Sequence, residues 1–286
     1  MPTLFLNKFI KIAFFLFFFV VFLFSSTLKV YFLDVKEGDA IFIITPSSRT
    51  VLIDAGHDHF RSGEYIYDFI VSKNFDKIDF LIISHPHRDH IGGVNYLLFN
   101  TKIVNFYDPE IFTKSKIYYK MLDTVKTVKK VNYFVIKEGD NINIDSNLET
   151  LILNPPKGYY YSSINDNSVV MKITYKKISF LFTGDIEEKA EKDIISRYNR
   201  KILKSDVLKV PHHGSRSSST KEFIKAVSPK IAVISCGINN RYGHPHLEVL
   251  ERYKKYNIKI LRTDLDGIIE IITDGETLKI NTYKKR

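Results

Sequence analysis

Residues 84–93 read SHPHRDHIGG and bring His85, His87 and His90, a third of the chain's nine histidines, together with Asp89. Imidazole nitrogens beside a carboxylate are ligands for a divalent cation, zinc first, with manganese or iron as borderline options. Pro86 fixes its own φ and disfavours helix at His85, so His85 and His87 lie on an extended or turning segment and point the same way. Asp89 and His90 lead into Ile-Gly-Gly and a helical pattern, which turns them toward an adjacent position. Two neighbouring half-sites are expected. A hydrogen-bonded polar turn would account for one such histidine, but poorly for three in this order.

Something must hold that stretch in place. DFLIIS (79–84) reads as a buried strand, and the histidines follow its C-terminal end, where a rigid scaffold presents chemistry on a loop. Similar Val/Ile/Phe-rich runs are LKVYFLDV (28–35), DAIFIIT (39–45) and TVLIDA (50–55). A second set comprises VVMKITY (169–175), ISFLFTGD (178–185), DVLKVP (206–211), KIAVIS (230–235), GIIEIIT (267–273) and TLKINTY (277–283). Helical patterns fall near 64–73, 114–129, 187–199, 219–227 and 247–256. Strand-rich halves with interspersed helices predict an α/β fold of stacked sheets with helices on the outer faces. No linker or repeat interrupts the chain after Thr27, so 28–286 is read as one domain.

Composition sets the limits. The chain has 286 residues, 44% of them hydrophobic, enough for a sizeable core. Its net charge of +10, from 42 Lys+Arg against 32 Asp+Glu, favours nucleic acid, phosphate esters or anionic membrane surfaces as partners, unless it simply reflects a Lys-rich composition. The single cysteine, Cys236, excludes an intramolecular disulfide framework. At the N-terminus Lys8 and Lys11 precede an apolar run from Ile12 to Phe24, followed by Ser-Ser-Thr. That layout predicts a signal peptide over 1–27 or, because the run is shorter than the roughly 20 residues that span a bilayer, a membrane anchor completed by its flanks. Either places residues 28–286 outside the cell, free or membrane-anchored. No further hydrophobic segment suggests a channel, and no protein partner is expected.

His-x-His-x-Asp-His after an apolar strand resembles the signature of the metallo-β-lactamase-fold hydrolases. TVLIDAG (50–56) resembles that family's strand ending in Asp, here Asp54, and FLFTGD (180–185) resembles the later strand whose Asp, here Asp185, bridges two metals. LKVYFLDVKEGDAIFI, INDNSVVMKI, LKVPHHGSRSS and NRYGHPH together resemble the hydrolase domain of ComEC-type competence proteins and its stand-alone secreted relatives, from about Leu28 to the C-terminus. The resemblance implies an αββα sandwich: two packed mixed β-sheets with helices on their outer faces. It also implies two divalent ions, with His85 and His87 on one, Asp89 and His90 on the other, Asp185 shared, and a last ligand from PHHGS, His212 with His213 as its rival. Asp89, Asp185 and His244 carry the catalytic roles in this reading.

Departures and softer positions follow. Many family members place a further ligand histidine between the first motif and the bridging Asp, but here none stands between His90 and His212, leaving that position vacant, water-filled or taken by Asn167 or Asp166. Lys36-Glu37 replaces the Gly-Gln of relatives, a surface change, while Asp34, Gly38 and Asp39 remain. Asp54 is expected to orient a ligand histidine. His244 and His246 in GHPH are expected near substrate, His244 as a proton donor to a leaving oxygen or a phosphate contact, although a turn before the next helix would also explain the motif. Ser215 and Arg216 offer a hydroxyl and a cation to an anion; an ordinary helix cap accounts for Ser219 or Thr220. His57 and His59 lie outside the family pattern and read as loop residues.

Two cations about 3.5–4 Å apart lower the pKa of a bridging water and clamp attacking and leaving oxygens. The expected function is an exported dinuclear hydrolase, a nuclease or phosphodiesterase acting on extracellular DNA or other phosphodiesters. The alternatives are a hydrolase of another ester or amide, such as a choline phosphoester, lactone or β-lactam, and a non-catalytic nucleic-acid-binding module.

Overall fold

The computed structural model describes residues 26–127 and 131–284, so the segment read as a signal or anchor lies outside the described residues. The chain opens as an antiparallel meander of β1 (Leu28–Phe32), β2 (Ile41–Ile44) and β3 (Thr50–Ile53). β4 (Lys77–Ile82), β5 (Lys102–Asp108) and β6 (Asn132–Val135) then add in parallel. A second sheet begins with antiparallel β7 (Leu148–Asn154), β8 (Val170–Tyr175) and β9 (Ile178–Phe182). It grows by parallel β10 (Val207–Lys209), β11 (Ile231–Ile234) and β12 (Lys259–Arg262). The last hairpin, β13 (Ile268–Thr273) and β14 (Leu278–Tyr283), returns to pair with β1. Among the described residues the strand orders are β14-β13-β1-β2-β3-β4-β5-β6 and β12-β11-β10-β9-β8-β7, both mixed.

The period-two alternation of strands divides their side chains between layers. Val30, Phe32, Ile41, Ile43, Phe80 and Ile82 of the first sheet meet Met171, Ile173, Phe180, Phe182, Val207 and Val233 of the second in a shared core. Their neighbours Tyr31, Phe42, Leu52 and Leu81 face the other way, onto Ile66 and Ile70 of the helix Ser62–Ser72 and onto Val94, Leu97 and Met121. On the far side Leu181, Leu208, Ala232 and Ile234 pack on Ala190 and Ile194 of the helix Glu188–Arg197, Phe223 and Val227 of the helix Lys221–Val227, and Tyr253 of the helix Leu247–Lys255. Strands covered on both faces need near-continuous apolar sequence, which is why β3, β9, β10 and β11 are buried throughout. The result is the four-layer αββα sandwich, with β3 and β4 of one sheet and β9 and β10 of the other ending near one another. No helix among the described residues is long and apolar enough to cross a membrane.

Candidate metal centre

Four strand ends supply the site. Asp54 follows β3, His85 to His90 follow β4, Asp185 follows β9, and His212-His213 follow β10. Loops beyond the carboxyl ends of strands are the usual place for ligands in such sheets. Asp54 takes a left-handed backbone (φ 60°), and its buried carboxylate accepts from Ser84 N at 2.7 Å and Ser84 Oγ at 2.6 Å. It also lies 2.8 Å from His90 Nδ1, which fixes that ring with Nε2 directed at Asp185. Outer carboxylates of this kind are how proteins set the tautomer of a metal-binding histidine.

His213 is held in the same way by a different partner. Its Nδ1 donates to the Ser235 carbonyl at 2.9 Å, while its buried Nε2 has no hydrogen-bond partner. His213 Nε2 lies 3.2 Å from Asp185 Oδ2 and 3.7 Å from Asp89 Oδ2; His90 Nε2 lies 3.2 Å and 3.8 Å from the same two atoms. Ligand atoms of Asp89, His90, Asp185 and His213 all fall within 4.8 Å of one another. Ligands roughly 2.0–2.1 Å from a tetrahedral zinc stand roughly 3.3 Å apart, so this donor set fits a divalent ion. Next to it His85 Nε2 and His87 Nδ1 converge at 3.0 Å, and His85 Nε2 is 3.9 Å from Asp185 Oδ2. One oxygen of Asp185 is therefore within 4 Å of ring nitrogens from His85, His90 and His213.

The other oxygen of Asp185 faces a residue that the sequence reading missed. Lys209, fully buried at the end of β10, places Nζ 2.5 Å from Asp39 Oδ2, 2.9 Å from the Gly184 carbonyl and 3.4 Å from Asp185 Oδ1. A lysine at the end of a continuous apolar strand is the signal that could have revealed it, because an ammonium is not buried without anionic partners. Burial pushes the His85 and His87 pKa values down, assisted by the charge of His90. Burial also opposes charge on His90 and His213, yet Asp185 with Asp54 and Asp89 around the first, and Asp185 with Asp39 around the second, raise both. Asp185 is held well below the usual carboxylate range: burial opposes this, but His213, His90 and Lys209 prevail. These surroundings favour a proton on His90 and on His213, and a bound cation would have to displace it.

Several expectations change. His213, not His212, joins the cluster of side chains that could hold a metal ion. Both residues have left-handed backbone (φ 48° and 53°), their rings stand 6.2 Å apart at 69°, and His212 turns to Glu187, its Nδ1 3.3 Å from Oε1. Asn167 is not free for metal or substrate, because its amide binds Tyr161 N, Tyr161 O and Ser163 O at 2.6–2.9 Å. Asp166 accepts from Glu187 N and Ala190 N at the start of a helix. Their neighbour Asn165 instead lines the site, with a buried Oδ1 that has no partner. Ser215 binds Ser217 Oγ, and Arg216 is exposed and faces Glu248 at 3.5 Å. His246 receives Arg216 N, giving it a role in the turn before the helix Leu247–Lys255.

Above the ligands lies a cavity of about 720 Å³ whose walls include His212, His244 and also His57 and His59, read from sequence as loop residues. His244 lies under other rings, 5.6 Å from Tyr242, 5.5 Å from His212 and 5.0 Å from His246. Burial, and then the neighbouring histidines, lower its pKa to about 4. A low pKa favours the uncharged ring, which suits the phosphate contact expected of His244 better than the proton donor.

The chain belongs to the metallo-beta-lactamase superfamily, whose family model matches residues 34–238. It is 33% identical to ComE operon protein 3 of Bacillus subtilis (strain 168), over 86% of this chain and 33% of that protein. Competence protein ComA of Neisseria gonorrhoeae is 31% identical, over 83% of this chain and 31% of that protein. The chain spans about a third of the length of these relatives. The crystal structure of the metallo-beta-lactamase fold protein YhfI from Bacillus subtilis superposes with a TM-score of 0.54 over 82% of this chain and 96% of that one, at 11% identity, a likeness of fold alone. The protein is thus a hydrolase of this superfamily, with competence proteins among its homologues.

Proposed function

We propose that this chain is a dinuclear, metal-dependent phosphodiesterase that cuts nucleic acid outside the cell. The observation that carries the reading is the convergence of His85, His90 and His213 nitrogens on one Asp185 oxygen at the floor of an open cavity. In this reading His85 and His87 hold one ion, Asp89, His90 and His213 the other, and Asp185 is shared. Bound there, two cations would supply an acidified water and a clamp for a phosphoryl group. Everything else falls to the protein. Asp54 and the Ser235 carbonyl keep His90 and His213 in the tautomer that offers Nε2. Lys209 ties down Asp185 Oδ1 and leaves Oδ2 to the site. Neutral His244 on the wall offers a hydrogen bond to a phosphate oxygen.

The nucleic-acid reading is supported by the +10 charge and by competence proteins among the relatives; Lys8, Lys11 and the apolar run after them support export. The protein, loaded with zinc or with manganese, is expected to hold close to two ions per chain and to cleave DNA. Binding should weaken steeply with salt as neutralised phosphates release counterions. If loaded protein neither retains nor cuts DNA at low salt but hydrolyses a lactone or β-lactam, the nuclease reading falls.

A further inference from the structure

The cavity over the ligands is walled by groups that the hydrolytic centre does not use. The loop after β11 brings Tyr242 to its rim, 53% exposed and stacked on His244 with 23° between the ring planes. The Arg241 guanidinium sits 4.7 Å from the Tyr242 ring centroid, with its Nη2 2.6 Å from the Tyr242 hydroxyl. Among the described residues Arg241 forms no ion pair, and it is exposed. The 3-10 turn Asp58–Phe60 brings Phe60, 39% exposed, into the same lining, with the His59 ring 5.0 Å away. Tyr242 belongs to none of the buried apolar clusters, so it holds up no core.

We infer that Tyr242 and Arg241 form a stacking platform for an unpaired nucleobase beside the phosphate held over Asp185, which makes single-stranded nucleic acid the preferred substrate. The inference rests on the phosphodiesterase reading. The Arg241 guanidinium lies over the Tyr242 ring and is held at its hydroxyl, so an incoming base would stack in its place or on the guanidinium plane itself. Every base has a π-face, so such a platform is indifferent to sequence; in a duplex those faces are covered by neighbouring base pairs. An arginine with no acidic partner beside the ring adds a phosphate contact, and the cavity volume is that of a site for a small ligand, suiting a few nucleotides.

The chain contains no tryptophan, so Tyr242→Trp installs a single indole at the platform. Metal-free protein in chelator is titrated with three ligands: a thymidine oligomer of about eight nucleotides, an abasic oligomer of equal length, and a duplex. Indole emission should quench with the thymidine oligomer and not with the abasic one. Tyr242→Ala should weaken binding of the thymidine oligomer roughly tenfold while leaving the abasic oligomer unchanged, and Tyr242→Phe should bind like the wild type. A wild-type protein that binds the thymidine and abasic oligomers equally, or a Tyr242→Ala protein that binds the thymidine oligomer undiminished, overturns the platform while the phosphodiesterase reading stands. A wild-type protein that binds no oligomer and cuts none overturns both.

Discussion

Two polar turns meet at the top of the sandwich, joined by a hydrogen bond from Val169 N to the Ser84 carbonyl. In the turn 84–90 the inner atoms of the rings are anchored: His90 Nδ1 on Asp54, His85 Nδ1 beside Ser84 Oγ at 3.0 Å. Their outer nitrogens point at Asp185. In the turn 161–168 the polarity is turned inward, and Asn167 gives both its donors and its acceptor to the backbone of Tyr161 and Ser163. The two turns read alike in sequence, as clusters of potential ligands. What separates them is where the polar atoms point once the backbone has been satisfied: His85 and His90 keep a ring nitrogen for Asp185, whereas Asn167 keeps none for the cavity. Within the second turn, Asn165 keeps a buried Oδ1 without a partner.

The largest effect should come from Asp185, the carboxylate shared by the two halves of the site. Asp185→Ala is expected to lose at least about a hundredfold in turnover and most of its metal, measured by elemental analysis of the purified protein. His213→Ala should retain about one ion and lose activity comparably, whereas His212→Ala should keep two. If His212→Ala sheds an ion and His213→Ala does not, the assignment of the pair is reversed.

Asn167→Ala should separate stability from chemistry. It leaves the buried N–H and C=O of Tyr161 without partners, at a cost of about 2 kcal/mol or more in denaturant unfolding. Metal content per folded chain should stay at the wild-type value, and a loss of metal without loss of stability would move Asn167 into the chemical turn.

This contrast explains what could be read from the sequence. The run His85-x-His87-x-Asp89-His90 is local, and so was its strand, because the C-terminal half of β4 is buried and runs on as an unbroken apolar stretch, Phe80 to Ile83. β6, Asn132–Val135, is exposed along its whole length at a sheet edge, and β12, Lys259–Arg262, is another edge strand with one fully buried position; neither carries a pattern to detect. β5 and β7 mix polar with apolar residues and were missed for the same reason. The choice between His212 and His213 depends on two left-handed residues and on the carbonyl of Ser235, on the neighbouring strand's end, none of which has a local signature. Lys209 and Asp39 meet only because two sheets are stacked.

A smaller, pH-dependent effect is expected at Glu191, which serves the loop after His213 as Asn167 serves its own turn, by accepting from Ser219 N and Thr220 N. Burial pushes its pKa from 4.5 up to about 7. The folded protein therefore holds a proton that the unfolded chain releases between those values. Its stability contribution is full below about 4.5 and declines as pH rises through about 7. Glu191→Gln removes the charge, so its stability relative to wild type should improve by roughly 2–3 kcal/mol between pH 5 and pH 8. A difference that is constant with pH would mean that the buried carboxyl does not titrate.

The smallest effect should come from Arg216, even though it lies three residues from His213 in the same motif. Its side chain is 65% exposed, its Nε is 3.5 Å from Glu248 Oε1, and it is not among the residues that line the cavity. Its backbone N–H, not its charge, makes the contact that matters, with His246 Nδ1 at 3.2 Å. An exposed ion pair of this kind contributes little once water and salt screen it. Arg216→Ala keeps the N–H, so its stability should stay within about 0.5 kcal/mol of wild type. Its affinity for a single-stranded oligomer should change by less than about twofold, the loss of one charge outside the binding cavity. Arg241→Ala, measured beside it, should weaken that affinity more and lower the slope of log affinity against log salt by about one. If the two arginines exchange these outcomes, nucleic acid runs over the His213 loop and not over the Tyr242 rim, and the binding path must be redrawn on that side.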